Sequence, residues 1–253
     1  MINLISKLFL VIRTIENFPL AILDRLGFLK GKMLYRMRNG TKFIARRGTE
    51  DLSEIAVVAS GSEYDFKSVS LPNNPTIIDL GGHIGTFSVL SANQFKNKCK
   101  IYTYEPEKEN FKILIQNLKI NNVTSVIARN LAISNFEGRG FLKTENMNTD
   151  AYYLDILEKK EFNCNVSTLP YEFKKNKIKK IDLMKMDIEG GEYAILSDPE
   201  SMRQILSKVH FIFIEVGPAY FSSEMKKIIE KNFKLKSKHN NVLALENLNW
   251  KND

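Results

Sequence analysis

Residues 76–88, with the sequence TIIDLGGHIGTFS, decide how this chain folds. Ile77, Ile78 and Leu80 form a short apolar run that is typical of a strand buried in a parallel sheet. The glycines at positions 81, 82 and 85 then allow a sharp turn and a close approach of ligand to backbone. The stretch therefore predicts a strand, a glycine turn and a helix, the first half of a nucleotide-binding βαβ unit.

The spacing of an acid and the glycines indicates which ligand this turn binds. A dinucleotide fingerprint requires G-x-G-x-x-G, whereas His83 and Thr86 stand at the second and third glycine positions. Asp79 precedes Gly81 by two residues, at the strand's carboxyl end, where open α/β sheets bind ligands. A carboxylate there favours S-adenosylmethionine, which carries an ammonium and a sulfonium but no phosphate. The alternative is an ordinary glycine-rich turn.

A second strand is predicted at Lys100–Tyr104, ending in Glu105 and Pro106. Glu105 lies twenty residues after Gly85, close to the offset at which an acid receives ribose hydroxyls. Pro106 has no amide hydrogen, which suits the end of a strand and the start of a helix. The helical spacing of apolar residues then predicts a helix over 107–118. The alternative for Glu105 is a solvated surface acid.

The composition of the chain limits which domain organisation and which classes of partner are expected. A length of 253 residues, 43% of them hydrophobic, allows one large domain or a domain with an appendage. The formal net charge of +8 favours anionic partners, but the lysine-rich runs at 174–180 and 226–238 are typical of solvated faces. Two cysteines without metal-ligand spacing are typical of a reduced, cytoplasmic protein. We therefore predict no metal site and no DNA partner.

Residues 1–70 are expected to form an N-terminal helix and a hairpin prefix before a ligand-binding domain over 71–253. Charged residues interrupt the apolar stretch 2–26, so it is unlike a membrane span and predicts one amphipathic helix instead. That helix has three candidate partners: the body of the protein, which is the default, another protein, or a membrane surface. Asn39-Gly40 predicts a hairpin, and Tyr64 is expected at the mouth of the ligand pocket.

The remaining strands are predicted at 125–133, 181–186 and 211–214, with a closing hairpin over 233–245. Residues 135–179 have little clear period and are expected to be irregular. Asp79, Glu105, Asp187 and Glu215 each stand at the end of a predicted strand, so their carboxylates should meet at one edge of the sheet. Like charges held so close repel each other, and a cationic ligand would relieve that repulsion.

The sequence resembles the FkbM-type S-adenosylmethionine-dependent methyltransferases. The stretches that carry the resemblance are DLGGHIGTFS at 79–88, YEP at 104–106, ENF at 109–111, LMKMDIEGGE at 183–192 and IEVGP at 214–218. The chain has Gly81-Gly82-His83 where the family usually has G-A-N, so the role of that asparagine is not carried over. The resemblance implies a Rossmann-like class I fold, a mostly parallel seven-stranded sheet with helices on both faces.

The family resemblance further implies O-methyl transfer to a hydroxyl of a sugar, glycan or natural product, as in polysaccharide biosynthesis. It assigns Asp79, Gly81 and Gly85 to the methionine part of the cofactor, Glu105 to the ribose and Asn130 to the adenine side. With neighbouring positions included, the candidate cofactor-binding residues are Asp79, Gly81, Gly82, His83, Gly85, Glu105, Pro106, Asn130, Asp187 and Tyr64.

Asp187 is the first choice for a catalytic base, followed by Glu189 and His83. The alternatives are a helix cap for Asp187, a surface ion pair for Glu189 and a plain polar contact for His83. A cation between Asp187 and Glu215 is not predicted, because no His or Cys ligands accompany them. Two other functions stay open: an RNA methyltransferase, disfavoured because no basic–aromatic interleaving is present, and a cofactor-binding protein without activity.

Overall fold

The computed structural model describes residues 4–25, 31–144, 152–155, 163–217 and 221–251. The helices in these ranges are α1 (Leu4–Thr14), α2 (Phe18–Arg25), α3 (Asp51–Ser60), α4 (Thr86–Gln94), α5 (Lys108–Ile120), α6 (Leu169–Lys175), α7 (Glu192–Ser197), α8 (Pro199–Lys208) and α9 (Ser223–Asn232). The strands are β1 (Lys32–Arg36), β2 (Lys42–Arg46), β3 (Thr76–Leu80), β4 (Lys100–Tyr104), β5 (Val126–Arg129), β6 (Ala132–Ser134), β7 (Gly138–Thr144), β8 (Tyr152–Asp155), β9 (Cys164–Thr168), β10 (Ile181–Met186), β11 (Val209–Glu215), β12 (Phe233–His239) and β13 (Val242–Asn247).

The larger sheet contains seven strands in the order β12-β13-β11-β10-β3-β4-β5. The five strands from β11 to β5 pair in parallel, and β13 is antiparallel to both of its neighbours. β10 is buried at all six positions, because it has a strand on each side and packed side chains on both faces. The expected Rossmann-like sheet, mostly parallel and seven-stranded, is therefore confirmed, as is its closing hairpin.

Alternate residues of the central strands face two different hydrophobic cores. Ile78 and Met184 face the core that the side chains of α6 to α9 complete. Ile77 and Leu183 face the opposite core, to which α4 contributes Phe87. Since the parallel strands all end at the same edge of this double-sided sheet, the residues that follow β3, β4, β10 and β11 lie side by side there.

The N-terminal prefix shares a hydrophobic core with α4 and α5. Tyr35 and Phe43 of the β1–β2 hairpin are fully buried beside Ile55 of α3 and Ile84 of the glycine turn. The hairpin turns at Asn39-Gly40 as the sequence predicts. The prefix therefore packs against α4 and α5.

The expectation of a single N-terminal helix over residues 2–26 is wrong, because the chain turns after α1 and starts again as α2. The turn brings Ile15 into a bridge with Met37 of the hairpin segment. The Asn17 side chain donates to the Leu34 carbonyl at 3.0 Å and accepts from the Arg36 amide at 2.9 Å. These hydrogen bonds stabilise the turn between α1 and α2, so the helix does not continue through it. Among the described helices, none is both long enough and apolar enough to cross a bilayer.

Residues 135–179 are not irregular where the structure describes them. With Ala132–Ser134 (β6), the strands β7, β8 and β9 form a second sheet in the order β6-β9-β7-β8, followed by α6. Its buried side is small, consisting of Ala132, Leu142, Cys164 and Val166. Such short strands around so small a core leave little periodicity in the sequence. The parts of this stretch at 145–151 and 156–162 lie outside the described residues.

Candidate active site

A cavity of about 850 Å³ lies at the carboxyl ends of β3, β4, β10 and β11. Gly81, Glu105, Asp187 and Glu215, which end or directly follow these strands, all line it. The expected convergence of strand-end acids at one edge is therefore found for three of the four carboxylates. A volume near the upper end of the usual range for ligand pockets, about 300–1,000 Å³, leaves room for more than one small molecule.

The glycine turn is shaped by contact with the segment that follows β10. Gly81 has a φ of 78°, a conformation that side chains disfavour. A Cβ at Gly81 would stand 1.8 Å from the carbonyl oxygen of Asp187, so only glycine fits there. The amides of Gly81 and Gly82 both donate to the Tyr104 carbonyl at 3.0 Å. The turn is thereby fixed between β4 and β10, at the floor of the cavity.

Glu105 is a buried carboxylate that is held by three donors. Its Oε2 accepts from the His83 amide at 2.8 Å, and its Oε1 accepts from the Glu107 amide at 2.9 Å. The Asn110 amide nitrogen donates to Oε1 at 3.3 Å. Burial raises the pKa of Glu105, against the charge of His83 and these donors, which lower it. The carboxylate is therefore preorganised at the cavity wall.

Asn130 braces the same strand end from outside the cavity. Its side-chain nitrogen donates to the carbonyl oxygens of Glu105 and Pro106 at 2.9 and 3.0 Å. Asn110, which the ENF stretch supplies, does line the cavity, and its buried Oδ1 has no hydrogen-bond partner. Sequence reasoning missed Asn110 as a site residue, although the motif that contains it was recognised.

His83 belongs to a charged cluster that joins the glycine turn to α3. Its Nδ1 contacts the carboxylate of Glu54, and its Nε2 lies 3.0 Å from Arg46 and 3.5 Å from Asp51. Burial lowers the pKa of His83, but the neighbouring carboxylates, Glu54 foremost, raise it to about 9. Because both ring nitrogens face partners, neither offers a free electron pair to the cavity in either protonation state.

Asp79 lies beneath the glycine turn and does not line the cavity. It is fully buried, and its Oδ2 accepts from the hydroxyls of Ser88 at 2.6 Å and Thr103 at 3.2 Å. Lys185 stands 3.4 Å from its other oxygen and donates to the Gly81 carbonyl at 2.8 Å. Burial raises the pKa of Asp79, and the Lys185 ammonium opposes that rise. Asp79 therefore holds the Lys185 ammonium in place, and that ammonium in turn binds the carbonyl of the glycine turn.

Lys185 also connects Asp79 to Asp187, which lies at the cavity surface. Its Nζ is 3.3 Å from Asp187 Oδ2, and Tyr64 donates its hydroxyl to the same oxygen at 2.9 Å. Tyr64 lines the cavity, so its expected position at the pocket is confirmed. The two donors hold the Asp187 carboxylate in a defined orientation on the cavity wall.

The carboxyl groups of Asp187 and Glu215 form a hydrogen-bonded pair. The charge of Asp187, and then burial, raise the pKa of Glu215 to about 10. Burial raises the pKa of Asp187, but Lys185, Glu215 and Tyr64 stabilise its carboxylate and bring that pKa below the ordinary value. At neutral pH, Glu215 is therefore protonated and hydrogen-bonded to an ionised Asp187.

Glu189 completes a group of three carboxylates with Asp187 and Glu215. One oxygen from each lies within 4.8 Å of the others, a spacing that a divalent cation could bridge. Carboxylates at a surface commonly approach this closely without a metal, because a shared proton also relieves their repulsion. The geometry alone therefore assigns no metal to the site.

Glu192 is a site residue that sequence reasoning missed. Its two carboxylate oxygens accept from the amides of Ile188 at 2.7 Å and Gly190 at 3.0 Å. They hold the loop that carries Glu189, whose φ of 53° is left-handed. Burial raises the pKa of Glu192 to about 7. The signal was present as the last acid of DIEGGE, but only the fold turns that acid back onto its own loop.

The cavity has an acidic side and an apolar side. Its ionisable lining residues are seven carboxylates, one histidine and two tyrosines, Tyr64 and Tyr104, and among the lining residues described by the structure none is Lys or Arg. Those carboxylates are Glu50, Glu54, Glu63, Glu105, Asp187, Glu189 and Glu215. The second sheet and its entry loop supply the opposite wall, which contains Leu131, Ile133, Phe136, Leu142 and Leu154. No sequence pattern predicted this wall.

The structure places the sequence-predicted site residues in two groups. Lining the cavity are Tyr64, Gly81, His83, Glu105, Pro106, Asp187 and Glu189. Asp79, Gly82, Gly85 and Asn130 lie behind that lining and position its members instead.

Comparison with known proteins identifies relatives of this chain. A family model described as the methyltransferase FkbM domain matches residues 79–244. A curated relative, the methyltransferase sdnD of Sordaria araneosa, is 24% identical over 167 residues. The match covers 53% of this chain and 64% of that relative, so the chain spans less than two thirds of its length.

Solved structures give weaker similarities. The WbdD co-crystal with the kinase inhibitor LY294002 is 12% identical with a TM-score of 0.47, covering 77% of this chain and 40% of that one. An rRNA methylase from Streptococcus thermophilus is 12% identical with a TM-score of 0.44, covering 76% of this chain and 96% of that one. Similarities of this size carry no argument about substrate.

Proposed function

This chain belongs to the FkbM methyltransferase family, and we propose that it is a methyltransferase that methylates a hydroxyl of a sugar, glycan or natural product with S-adenosylmethionine as donor. The single observation that carries the proposal is the convergence of Glu105, Asp187 and the Gly81 turn on one cavity. The family model spans the residues that build this cavity floor.

The cavity residues fit S-adenosylmethionine by charge and by shape. A ligand with an ammonium and a sulfonium is favoured by a lining that contains seven acidic residues, with Glu215 protonated because of its raised pKa, and no Lys or Arg among the described residues. Glu105 is preorganised to accept hydrogen bonds from ribose hydroxyls, and the partnerless Oδ1 of Asn110 stands beside it. The Gly81 turn, with no Cβ, offers backbone to the methionine part. Leu131 and Ile133 supply an apolar surface suited to an adenine ring.

S-adenosylmethionine supplies an electrophilic methyl group on its sulfonium. The chain's own residues have to bind the acceptor hydroxyl, hold it in line and receive its proton. We assign proton acceptance to the Asp187–Glu215 pair, with Asp187 as the ionised member that faces the hydroxyl. Lys185 and Tyr64 keep Asp187 oriented. Glu189, on the loop that Glu192 holds, is the second candidate for contact with the acceptor.

The electrostatics of the cavity weigh against the RNA alternative. A nucleic acid brings phosphates, and phosphates are repelled by a pocket whose charged lining is almost entirely carboxylate. A cofactor-binding protein without activity would need the same cofactor residues but not the Asp187–Glu215 pair. An active methyltransferase should therefore lose methyl transfer when Asp187 is replaced, whereas a cofactor-binding protein without activity has no transfer to lose.

Binding of the cofactor is tested first by thermal unfolding with S-adenosylmethionine or S-adenosylhomocysteine. A ligand that binds only the native state raises the melting temperature. Glu105→Ala should remove most of this shift, since a hydrogen bond to a charged group contributes about 1.5–3 kcal/mol. The control is Glu109→Ala, because Glu109 is exposed and pairs only with Lys112. No shift of the wild type at saturating ligand would overturn the proposed cofactor.

The acceptor class is tested by following transfer of a labelled methyl group to glycan or small-molecule fractions and, in parallel, to RNA. Label in a glycan or small molecule that withstands mild base, as a methyl ether does and a methyl ester does not, supports the proposal. Label in RNA alone contradicts it. Binding of the cofactor without transfer to any fraction would favour the non-catalytic reading.

A further inference from the structure

The positive charge of the chain is concentrated at its N-terminal end. The first 47 residues contain ten Lys or Arg and two Asp or Glu, which accounts for the whole formal net charge of +8. The remaining residues are balanced, with 27 of each sign. The lysine runs at 174–180 and 226–238 are strongly basic too, but acids elsewhere in residues 48–253 offset them.

The same region exposes large apolar side chains. Val11 of α1 and Ile15 directly after it are buried in the core, whereas Leu8, Phe9 and Ile12 of α1 are more than a third exposed and Phe9 reaches 61%. The apolar residues of α1 therefore extend beyond the part of the helix surface that packs on the core. Three further leucines in the prefix are exposed to a similar degree, namely Leu20, Leu23 and Leu34.

Arginines stand at the edge of this apolar surface. The guanidinium of Arg38 donates to the Ile12 carbonyl at 3.1 Å, which places it at the end of α1. Arg36 lies beside the turn between α1 and α2, where its amide is bonded to Asn17. Arg13 is exposed on α1 itself, next to Ile12. We define Leu8, Phe9, Ile12 and these three arginines as the N-terminal surface.

We propose that the N-terminal surface docks on an anionic lipid bilayer. Apolar side chains flanked by arginines are what an interfacial helix presents to a membrane, where the chains enter the acyl boundary and the cations meet anionic headgroups. A second copy of the chain is disfavoured as the occupant, because two surfaces of the same positive charge repel. RNA is disfavoured, because exposed Phe and Leu gain nothing from phosphate contacts.

The position of the N-terminal surface connects it to the cavity. α1 packs on α3, and α3 supplies Ser53, Glu54 and Val57 to the cavity lining. A bilayer bound at the N-terminal surface would therefore lie one helix away from the site. The proposal stands independently of the methyl acceptor, since it rests only on the charge and exposure of the prefix.

The test is co-sedimentation of the full chain with vesicles of phosphatidylcholine alone and with added phosphatidylglycerol. The wild type should bind only the anionic vesicles, and salt should release it. Phe9→Ser with Ile12→Ser should weaken binding roughly tenfold or more, because two apolar side chains no longer enter the bilayer. Leu235→Ser is the matched control, since Leu235 is 56% exposed on β12, outside the prefix.

Charge is tested separately with Arg13→Glu and Arg36→Glu, compared with Lys227→Glu and Lys231→Glu on α9. Both pairs change the net charge equally, and only the arginine pair should lose vesicle binding. Equal losses would reduce the effect to overall charge and overturn a specific surface. Absence of wild-type binding to anionic vesicles would also overturn the proposal, as would binding to RNA without vesicle binding. A dimer in solution that Phe9→Ser dissociates would assign the surface to a second copy instead.

Discussion

At the scale of single residues, Asp187 and Glu215 are neighbouring carboxyl groups at the cavity, and the charge of Asp187 disfavours ionisation of Glu215. Asp187 accepts a hydrogen bond from the Tyr64 hydroxyl and lies 3.3 Å from the Lys185 ammonium. These two contacts stabilise its ionised form. Glu215 takes the proton, because the charge of Asp187 and burial raise its pKa to about 10. A lowered pKa makes Asp187 a weak base in the ground state.

Asp187→Asn keeps the shape of the side chain and removes its charge. We expect single-turnover methyl transfer to fall by about 10²-fold or more, the range for loss of a general base. Cofactor affinity should change little, because Glu105 and the glycine turn are untouched. The measurement is methyl transfer to the acceptor alongside calorimetry with S-adenosylhomocysteine. Near wild-type turnover in the Asn variant would exclude Asp187 as the base and leave Glu189 to be tested with Glu189→Gln.

Glu215 gives a second prediction, on the pH dependence of stability. Its pKa rises from an ordinary 4.5 in the unfolded chain to about 10 in the fold. Between these values the unfolded chain releases a proton that the folded chain keeps, so Glu215 makes stability fall as pH rises. Glu215→Gln cannot ionise in either state, and its amide can still donate to Asp187.

The unfolding free energy of Glu215→Gln minus that of the wild type should therefore increase from about pH 5 to about pH 9. Urea unfolding at several pH values in this window measures it. Glu230→Gln, at an exposed position of α9, is the control and should show no such trend. A difference that stays constant with pH would contradict the raised pKa of Glu215.

At the scale of elements, the site is built by the contact of two loops, the Gly81 turn after β3 and the Asp187 segment after β10. The Asp187 amide donates to the Leu80 carbonyl at 3.3 Å, and Lys185 donates to the Gly81 carbonyl at 2.8 Å. The parallel pairing of β3 with β10 brings residues more than a hundred positions apart into this contact. A cofactor lying on one loop therefore faces the acids of the other.

Gly81→Ala tests this contact, with Gly48→Ala as the matched control. Both glycines have a positive φ, 78° and 72°, so both variants incur about 1 kcal/mol of backbone strain. A Cβ at Gly81 also meets the Asp187 carbonyl at 1.8 Å, whereas nothing lies within 4 Å at Gly48. We expect Gly81→Ala to lose about 1–3 kcal/mol more stability in urea unfolding, together with cofactor binding. Equal losses in the two variants would contradict the close approach of the loops.

At the scale of the whole molecule, the sequence predicted those features that arise from long buried runs and from local turns. β4 and β10 begin and end at the predicted residues, because parallel strands covered on both faces are continuous apolar runs. The convergence of Glu105, Asp187 and Glu215 follows from that topology alone. The assignment of these residues to cofactor and catalysis stays a proposal.

Features that depend on distant packing could not be predicted from the sequence. Asp79 is behind the cavity because its side chain meets Ser88 and Thr103, which only the folded βαβ unit brings to it. The His83–Glu54 contact joins residues of two elements whose packing has no local signal. The second sheet was missed because its strands share a core of four buried residues. The proposed boundary near residue 70 divides the chain in sequence, while Tyr35 and Ile84 share one core across it.

The N-terminal end of the molecule is basic, whereas its cavity is acidic. The N-terminal end carries the whole net charge of +8, whereas the cavity is lined by seven carboxylates. Charges beyond about 8 Å of solvent are screened at physiological ionic strength, so the nearby carboxylates should determine cofactor affinity. S-adenosylmethionine carries a sulfonium that S-adenosylhomocysteine lacks. Calorimetry at low and high NaCl should therefore show S-adenosylmethionine weakening several-fold with salt and S-adenosylhomocysteine weakening less. An affinity for S-adenosylmethionine that rises with salt would mean that the basic N-terminal end dominates the field at the site.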